Sequence, residues 1–259
     1  MGNTLRLGCA QFTARNGDTA ANLATIARLA ASAAKDGVQL LVLPELAVTG
    51  YARPEIVAAA AKPIPGPAFD ALSAIAIGHG IALAAGLVES DPASGTVHNS
   101  MVLIASDGSE RLRYRKVHLW DNEKAWATPG NIFPVAQYGG FPLGMWICYD
   151  NRFPEAARTL AKNGAHLALV AAAWLGPAAE WELSLRARAM DNGIYVGGSV
   201  HLGPNFNGVA MISDPHGNLI AQGEPGVDQV VTADLEHAQI ESFHARIPLL
   251  KHLRPDSYR

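Results

Sequence analysis

Apolar residues follow two alternating patterns along the chain, and each pattern predicts a different element. Residues 5–12 and 39–43 are short, nearly continuous apolar runs, which are typical of strands covered on both faces. Between them, apolar residues recur at helical spacing and predict a helix over 19–35, with Asp18 as its N-cap and Gly37 just past its end. The chain therefore opens with a strand, a helix and a second buried strand.

The same alternation continues to about residue 234. Further strands are predicted at 81–89, 97–104, 110–115, 140–148, 166–172, 194–200, 209–213, 219–221 and 227–234. Further helices are predicted at 68–78, 154–163 and 178–192. Turn residues at 106–108 and 214–218 predict hairpins. This order predicts a layered α/β fold in a single domain over residues 1–259. The tail, about 236–259, has no evident place in the sheet, and we expect it at a subunit interface.

Composition and charge narrow the function classes. With 49% hydrophobic and 17% charged residues, a chain of 259 residues can bury a large core. Its net charge of −3 does not suggest a nucleic-acid partner, since such domains carry a concentrated basic surface. No apolar stretch approaches the ~20 residues of a membrane span, and the N-terminus lacks the apolar segment of a signal peptide. We therefore expect a cytoplasmic protein with no nucleic-acid or membrane partner.

Two reactive side chains directly follow predicted strands, where α/β folds place ligands and catalytic groups. Glu45 comes after Pro44, which ends the strand because proline cannot donate to a sheet. At the rim of an apolar environment its carboxylate is a plausible proton acceptor. The alternative is a glutamate that caps the next turn or pairs with an arginine. Lys116 follows strand 110–115, and either holds a charge near a reacting centre or is a solvated strand lysine.

Cys148 closes a third apolar run, and a helix begins near Pro154. The positive field of a helix start favours a thiolate, which is an effective nucleophile for acyl transfer. The alternative is an inert core cysteine. Cys9, inside the first strand, is interpreted as a small core residue. Both cysteines are expected to be free thiols.

Several motifs accompany these three residues. They are Leu43-Pro44-Glu45, Thr49-Gly50-Tyr51, Tyr114-Arg115-Lys116-Val117-His118-Leu119, Thr128-Pro129-Gly130, the segment from Cys148 to Glu155, the segment from Arg186 to Asn192, and the segment from Arg254 to Tyr258. Together they resemble the nitrilase superfamily of carbon–nitrogen hydrolases, which uses a Glu-Lys-Cys triad in this chain order. The resemblance extends over most of the chain.

The resemblance implies a four-layer α-β-β-α sandwich whose subunits pair through their outer helices as homodimers. It also implies that Glu45 is the general base, Lys116 the charge stabiliser and Cys148 the nucleophile. Glu123, placed before Pro129-Gly130, would orient the lysine or the substrate. No metal or organic cofactor is implied, and the nine histidines include no HExxH or other metal-ligand spacing.

The same resemblance, together with residue chemistry, predicts the pocket. The backbone N–H of Tyr149, with the lysine, is expected to stabilise the oxyanion. Tyr51, Trp120 and Trp174 are expected to line an apolar pocket, although ordinary core packing is their alternative. Asn151 stands where the family often has an aliphatic residue, and is expected to alter the pocket mouth.

The predicted reaction is hydrolysis of a small-molecule amide to a carboxylate and ammonia through a thioester on Cys148. Tyr149-Asp150 after the cysteine resembles amidases and carbamoyl-amide hydrolases, whereas nitrilases of the family usually have Trp there. The main alternative is a carbamoylase acting on N-carbamoyl amino acids, which would also release carbon dioxide. Arg152 is a candidate for binding their carboxylate, unless it pairs with a carboxylate of the protein itself. A nitrilase and a non-catalytic binding protein are further alternatives, and the intact triad argues against the last.

Overall fold

Two β-sheets lie face to face between two helix layers in the computed structural model, which describes residues 4–258. Over these residues the twelve strands are β1 Thr4–Phe12, β2 Leu40–Val42, β3 Ala82–Asp91, β4 Thr96–Ile104, β5 Glu110–Arg115, β6 Val135–Tyr138, β7 Phe141–Ile147, β8 Leu167–Ala172, β9 Tyr195–His201, β10 Met211–Ser213, β11 Leu219–Gln222 and β12 Gln229–Glu236. The six α-helices of the same residues are α1 Thr19–Lys35, α2 Pro54–Ala59, α3 Pro67–His79, α4 Pro154–Lys162, α5 Ala178–Asn192 and α6 His237–Arg246.

The strand order separates the two sheets. One has the order β5-β4-β3-β2-β1, with β12 beside β1, and the other has the order β6-β7-β8-β9, with β10 and β11 beyond β9. A short parallel pairing joins them, between Gln11 and Val200 and between Phe12 and His201. The central strands of each sheet are parallel. The four-layer α-β-β-α sandwich is therefore confirmed.

Burial on both faces explains the continuous apolar runs of the central strands. Alternate residues of a strand point to opposite faces. In and just after β2, Leu40 and Val42 face the core between the sheets, whereas Leu41 and Leu43 face the core beneath α1 and α3. Cys9 is completely buried in the core between the sheets, so its interpretation as a core residue is confirmed.

The predicted ends of α1 are confirmed in atomic detail. The Asp18 carboxylate accepts a hydrogen bond from the Ala21 backbone N–H at 3.0 Å, which satisfies one of the free N–H groups of the first turn. Gly37, at φ +77°, turns the chain out of the helix in a conformation that glycine adopts readily. α1 and α3 cover one sheet, while α4 and α5 cover the other.

The layers bring the C-terminal ends of β2, β7 and β8 together. Glu45 follows β2, Cys148 follows β7 directly, and Ala173 follows β8 directly. The Ala173 backbone N–H donates to the Glu45 carboxylate at 2.9 Å, so these ends from the two sheets are in contact. Residues far apart in the chain therefore meet at one edge of the sandwich.

Three short or polar elements were not predicted. α2 has only six residues, and β6 is a four-residue strand at a sheet edge. α6 lies within the tail that has no strand, and it buries only Ile240 and Phe243 on an otherwise polar helix. Periodicity is weak in such segments because few apolar side chains repeat.

Two further expectations concern targeting. The expectation that no signal peptide is present rests partly on residues 1–3, which lie outside the described residues. Within residues 4–258, none of the helices has both the length and the apolar character needed to span a bilayer.

At Gly86, β3 packs closely against the backbone of the turn around Glu45. A Cβ atom at Gly86 would lie 2.4 Å from the Leu46 nitrogen and 2.6 Å from the Pro44 oxygen, both of which are backbone atoms that cannot rotate away. Gly86→Ala is therefore expected to destabilise the protein by about 1–3 kcal/mol, as overpacking does. Thermal unfolding should show a lower Tm.

The matched control is Gly78→Ala in α3. A Cβ atom there meets nothing within 4 Å. This substitution replaces an exposed helical glycine by a better helix former, so the Tm should be unchanged or slightly higher. Equal Tm values for the two variants would contradict the proposed tight contact.

Candidate active site

Glu45 begins the turn after β2 and is completely buried. The turn is bound to β3, because the Gly86 N–H donates to the Pro44 carbonyl and the Gly86 carbonyl accepts from the Ala47 N–H. Leu46 has φ +48°, a left-handed conformation that is uncommon for a residue with a side chain and costs of order 1–3 kcal/mol. The surrounding contacts therefore fix the direction of the carboxylate despite local strain.

Lys116 lies one residue beyond β5, and only 1% of it is exposed. Its backbone N–H donates to the Asn99 carbonyl and its carbonyl accepts from the Gly130 N–H, both at 2.8 Å. Its ammonium donates to Oε1 of Glu45 and to Oε1 of Glu123, both at 2.7 Å. The alternative of a solvated strand lysine is therefore wrong.

Glu123 is buried in a 3₁₀ turn, Asp121–Ala125. Its Oε2 accepts from the Trp120 backbone N–H at 2.9 Å, and its Oε1 accepts from the Tyr51 hydroxyl at 3.0 Å. With the bond from Lys116, these contacts satisfy the carboxylate on several sides. The structure thus brings Glu123 beside the lysine, in contact with the same ammonium as Glu45.

Asn99 is a site residue that sequence reasoning missed. Its side-chain amide donates to Oε1 of Glu45 at 2.7 Å and to Oε1 of Glu123 at 3.3 Å. It therefore contacts both carboxylates that flank the ammonium. The available signal was the polar triplet 98–100 inside an otherwise apolar strand, because buried polar side chains need partners.

Cys148 is the first residue of a 3₁₀ turn, Cys148–Arg152, that follows β7 without a spacer. Its φ of +43° is the left-handed conformation again, now at the residue that carries the thiol. About 9% of the residue is exposed, so its surface is small but not sealed. Strained positions of this kind cluster at functional sites because the surrounding structure holds them in place.

Asp150 holds this turn in place, and it was also missed. Its completely buried carboxylate accepts from the Ile147 N–H at 3.0 Å and from the Tyr114 hydroxyl at 2.6 Å. It also accepts from the backbone N–H and Nδ1 of His118, at 2.9 and 2.7 Å. One carboxylate therefore ties the turn bearing Cys148 to the segment bearing Lys116.

Ala173 connects the acid to the thiol through its backbone. Its N–H donates to Oε2 of Glu45 at 2.9 Å, and its carbonyl accepts from the Cys148 thiol at a sulfur–oxygen distance of 3.7 Å. Because the residue directly follows β8, the sheet fixes both groups. The Glu45 carboxylate and the Cys148 thiol are therefore both bound by the backbone of one residue.

The buried charges set the protonation of the lysine and of Glu123. Burial disfavours the ammonium, but the carboxylates of Glu45 and Glu123 outweigh it and hold the pKa of Lys116 above its ordinary value. Burial raises the pKa of Glu123, although the Lys116 charge opposes the rise. Lys116 therefore supplies a fixed positive charge at neutral pH.

The positive field of the helix start, which favours a thiolate at Cys148, is not the main influence on the thiol. Burial, followed by the negative charge of Glu45, raises the pKa of the Cys148 thiol well above its ordinary value, and the Lys116 charge offsets this only in part. An anion would lose its hydration in this site and meet the carboxylates. The resting thiol is therefore protonated, and attack requires a base.

A cavity of about 230 Å³ opens onto Cys148. It is smaller than the ~300–1,000 Å³ typical of pockets for drug-sized ligands. Its lining is largely aromatic and consists of Tyr51, Trp120, Cys148, Tyr149, Arg152, Ala173, Trp174, Leu175 and Gly176. The site can therefore admit a small, mostly apolar molecule to the sulfur.

The expected pocket residues divide into two groups. Tyr51, Trp120, Tyr149 and Trp174 all line the cavity. Asn151 is not among the lining residues: it is buried, and its side-chain amide donates to the Ser184 hydroxyl on α5 at 2.6 Å. Asn151 therefore links the turn Cys148–Arg152 to α5, and the expectation that it alters the pocket mouth is not supported.

His201 binds the backbone of Glu45, and sequence reasoning missed it as well. Its Nε2 donates to the Glu45 backbone carbonyl at 2.6 Å, while its ring packs against Phe12 and Phe206. Burial lowers the pKa of His201 to about 4, so the ring is neutral at neutral pH. It therefore fixes the backbone of the acid without adding a charge to the site.

No group of three or more His, Cys, Asp or Glu side chains within residues 4–258 is arranged to hold a metal ion. The chemistry available to the described residues is that of a thiol, a carboxylate and an ammonium. These groups suit acyl transfer through a covalent intermediate.

Comparison with known proteins places this geometry in context. The family model for carbon-nitrogen hydrolases matches residues 6–245. An (R)-stereoselective amidase of Pseudomonas sp. is 31% identical, with 90% of this chain and 86% of that protein covered. The omega-amidase NIT2 of Xenopus tropicalis is also 31% identical, with 92% and 91% covered.

Solved structures show the same likeness. An amidase from Nesterenkonia sp. AN1, in a glutamate-to-glutamine variant, superposes with a TM-score of 0.84 at 31% identity, covering 97% of this chain and 94% of that one. That structure shows covalent addition of the acetamide moiety of fluoroacetamide at the active site cysteine. Nit3 of Saccharomyces cerevisiae, a nitrilase-superfamily member, superposes with a TM-score of 0.87 at 27% identity, covering 96% of each chain. This chain belongs to the carbon–nitrogen hydrolase family.

Proposed function

We propose that this protein is a cysteine-dependent amidase in which Cys148 attacks a small amide, Glu45 moves the protons and Lys116 stabilises the developing negative charge. The observation that carries the proposal is the convergence of these groups at a small aromatic cavity. Lys116 donates to Glu45, and Ala173 binds both Glu45 and the Cys148 thiol. The amidases among the similar proteins support the choice of substrate class.

In the acylation step, the thiol gives its proton to Glu45 as the sulfur forms a bond to the amide carbon. The carbonyl π electrons move to the oxygen, where the Lys116 ammonium and the Tyr149 backbone N–H are proposed to bind the oxyanion. The carbon–nitrogen bond then breaks, and the nitrogen leaves as ammonia with the proton held by Glu45. A thioester remains on Cys148.

In the deacylation step, Glu45 takes a proton from a water molecule that attacks the thioester. The carbon–sulfur bond breaks, and Glu45 returns its proton to the sulfur. The second proton of the water stays on the product, which leaves as a carboxylic acid and ionises to the carboxylate by giving that proton to the solvent. The raised pKa of the Cys148 thiol requires this base in the first step and makes the sulfur take up a proton readily in the last. We assign Glu123 and Asn99 to positioning, because Glu123 accepts a hydrogen bond from the Lys116 ammonium and Asn99 donates to both carboxylates that flank it.

Substitution of the nucleophile provides the direct test. Cys148→Ala is expected to reduce ammonia release from propionamide to background, because no other thiol of the described residues lines the cavity. Glu45→Gln is expected to lower kcat by about 10²–10⁴-fold, the usual contribution of general acid–base catalysis. Peptide mass spectrometry of wild-type protein, quenched in acid during turnover, should place a propionyl group on Cys148.

Cys9→Ala is the matched control for this experiment. Cys9 is the other free cysteine of the described chain, and it lies in the core between the sheets. The variant should keep its ability to form the acyl adduct. An adduct on any residue other than Cys148, or turnover by Cys148→Ala at the wild-type rate, would refute the assignment.

The protonation state of the resting thiol gives a pH prediction. Because burial raises the pKa of Cys148 above its ordinary value of 9.0, the folded protein should hold a neutral thiol through the neutral range and form a thiolate only at higher pH. The ultraviolet absorbance of the thiolate, taken as the difference between wild-type and Cys148→Ala protein, should show no step below pH 9. A step between pH 5 and 8 would mean that a stable thiolate exists without substrate.

We also propose a homodimer formed through α5 and the C-terminal tail, about 236–259. Leu183 and Met190, two turns apart on the outer face of α5, are 69% and 51% exposed. Ile247 of the tail is 40% exposed. Large apolar side chains that recur along one exposed helix face favour a partner surface, and a second copy of this chain fits the family resemblance.

Leu183→Glu is expected to shift the mass measured by light scattering from that of a dimer to 27.3 kDa, the mass of one chain. The control is Ile77→Glu on α3, a residue of the opposite helix layer that is 57% exposed. That variant should keep the dimer mass. A monomeric wild-type protein, or an unchanged mass for Leu183→Glu, would contradict the proposed interface.

Cytoplasmic location remains part of the proposal. The two cysteines are free and buried, which suits a compartment that keeps thiols reduced. The proposed reaction also needs the Cys148 sulfur in its reduced form.

A further inference from the structure

Arg152 gives the cavity its one charged side chain among the described lining residues. The other lining residues are aromatic, aliphatic or small, apart from the Cys148 thiol itself. Lys116, the nearby cation of the site, is already bound to two carboxylates. The behaviour of Arg152 therefore decides whether the cavity attracts a charged substrate.

Two contacts hold the guanidinium of Arg152. Its Nη2 lies 2.5 Å from the Glu180 carboxylate, and its central carbon lies 4.5 Å from the centre of the Trp174 ring. Gly176 makes room for it, since a Cβ atom at that position would lie 2.8 Å from Nη2. The guanidinium is therefore bound before any substrate arrives.

The groups that hold Arg152 both lie at or just before the start of α5. The Trp174 ring N–H donates to the Pro177 carbonyl at 3.1 Å, immediately before α5 begins. Glu180 lies in the first turn of that helix, where the N-terminal dipole favours a carboxylate. The ion pair of Arg152 and Glu180 thus connects the 3₁₀ turn Cys148–Arg152 to the start of α5.

From this geometry we infer that the Arg152–Glu180 pair selects uncharged amides and discriminates against amides that carry a carboxylate. A carboxylate that entered the cavity would have to displace Glu180 from the guanidinium and would meet the negative charge of Glu180 beside it. The aromatic walls offer no other cation in exchange. This inference rests on the proposed amidase function and names the substrate class of the same site.

The expected strength of this substrate discrimination depends on how exposed the ion pair is. The Arg152 and Glu180 side chains are 38% and 46% exposed, so water screens their interaction. A partly exposed ion pair contributes at most about fivefold to an equilibrium, and we expect discrimination of this order. The pair therefore biases the choice of substrate, while the triad performs the reaction on either class.

Two amides of equal shape provide the test. Succinamate carries a carboxylate where 4-methylpentanamide carries an isopropyl group of similar size, and the rest of each molecule is the same. The wild-type protein should have the higher kcat/KM for 4-methylpentanamide. Glu180→Gln should raise the kcat/KM ratio of succinamate to 4-methylpentanamide by about fivefold, because it frees the guanidinium and removes the opposing charge.

Two further variants make the result specific. Glu182→Gln removes the same charge two residues along α5, where the carboxylate pairs with Arg186 and does not line the cavity, so the ratio should stay at its wild-type value. Adding Arg152→Gln to Glu180→Gln should abolish the gain for succinamate.

Three results would overturn the inference. They are a wild-type protein that prefers succinamate, an unchanged ratio for Glu180→Gln, and a gain that persists without Arg152. Hydrolysis of neither these amides nor propionamide would instead overturn the proposed amidase function, and the inference with it.

Discussion

The structure of the site depends on one buried ammonium between two buried carboxylates. An isolated charge in this position would cost several kcal/mol, and the cost is offset only when partners are close and well aligned. Lys116 finds Glu45 and Glu123 at 2.7 Å each, and Asn99 contacts both acids. Because these groups come from different strands and turns, the sandwich must close correctly before any of them is satisfied. Burial and the two carboxylates together keep the neighbouring Cys148 thiol protonated, although the Lys116 charge opposes them, so the arrangement that stabilises the site also determines its chemistry.

Much of the fold could be predicted from the sequence because its central strands are buried on both faces. Runs such as residues 40–43 are apolar without interruption, and the helices between the strands show clear spacing and caps. α2, β6 and α6 could not be predicted in this way, since they bury few side chains. Apolar periodicity predicts the elements that form the core, but it is weak in elements that bury few side chains.

The candidate site was predictable only where residues carry distinctive chemistry at strand ends. Glu45 and Cys148 could be found because each follows an apolar run, Lys116 because it follows a strand of alternating residues, and the family resemblance grouped them with Glu123. Asn99, Asp150 and His201 were missed because their importance lies in contacts between residues distant in the chain. The protonation of the thiol could be predicted only in part, for a related reason. The local field of a turn can be inferred from sequence, but burial and the carboxylates that raise the thiol pKa depend on the folded structure.

Ala173 positions the catalytic groups with its backbone and shapes the cavity with its side chain. It holds the acid and the thiol with backbone atoms alone, yet it also forms part of the cavity wall. A different side chain at this position would reshape the space for the substrate while the same N–H and carbonyl remained available. The set of accepted molecules can therefore diverge during evolution, or be altered by engineering, without redesign of the proton-transfer geometry.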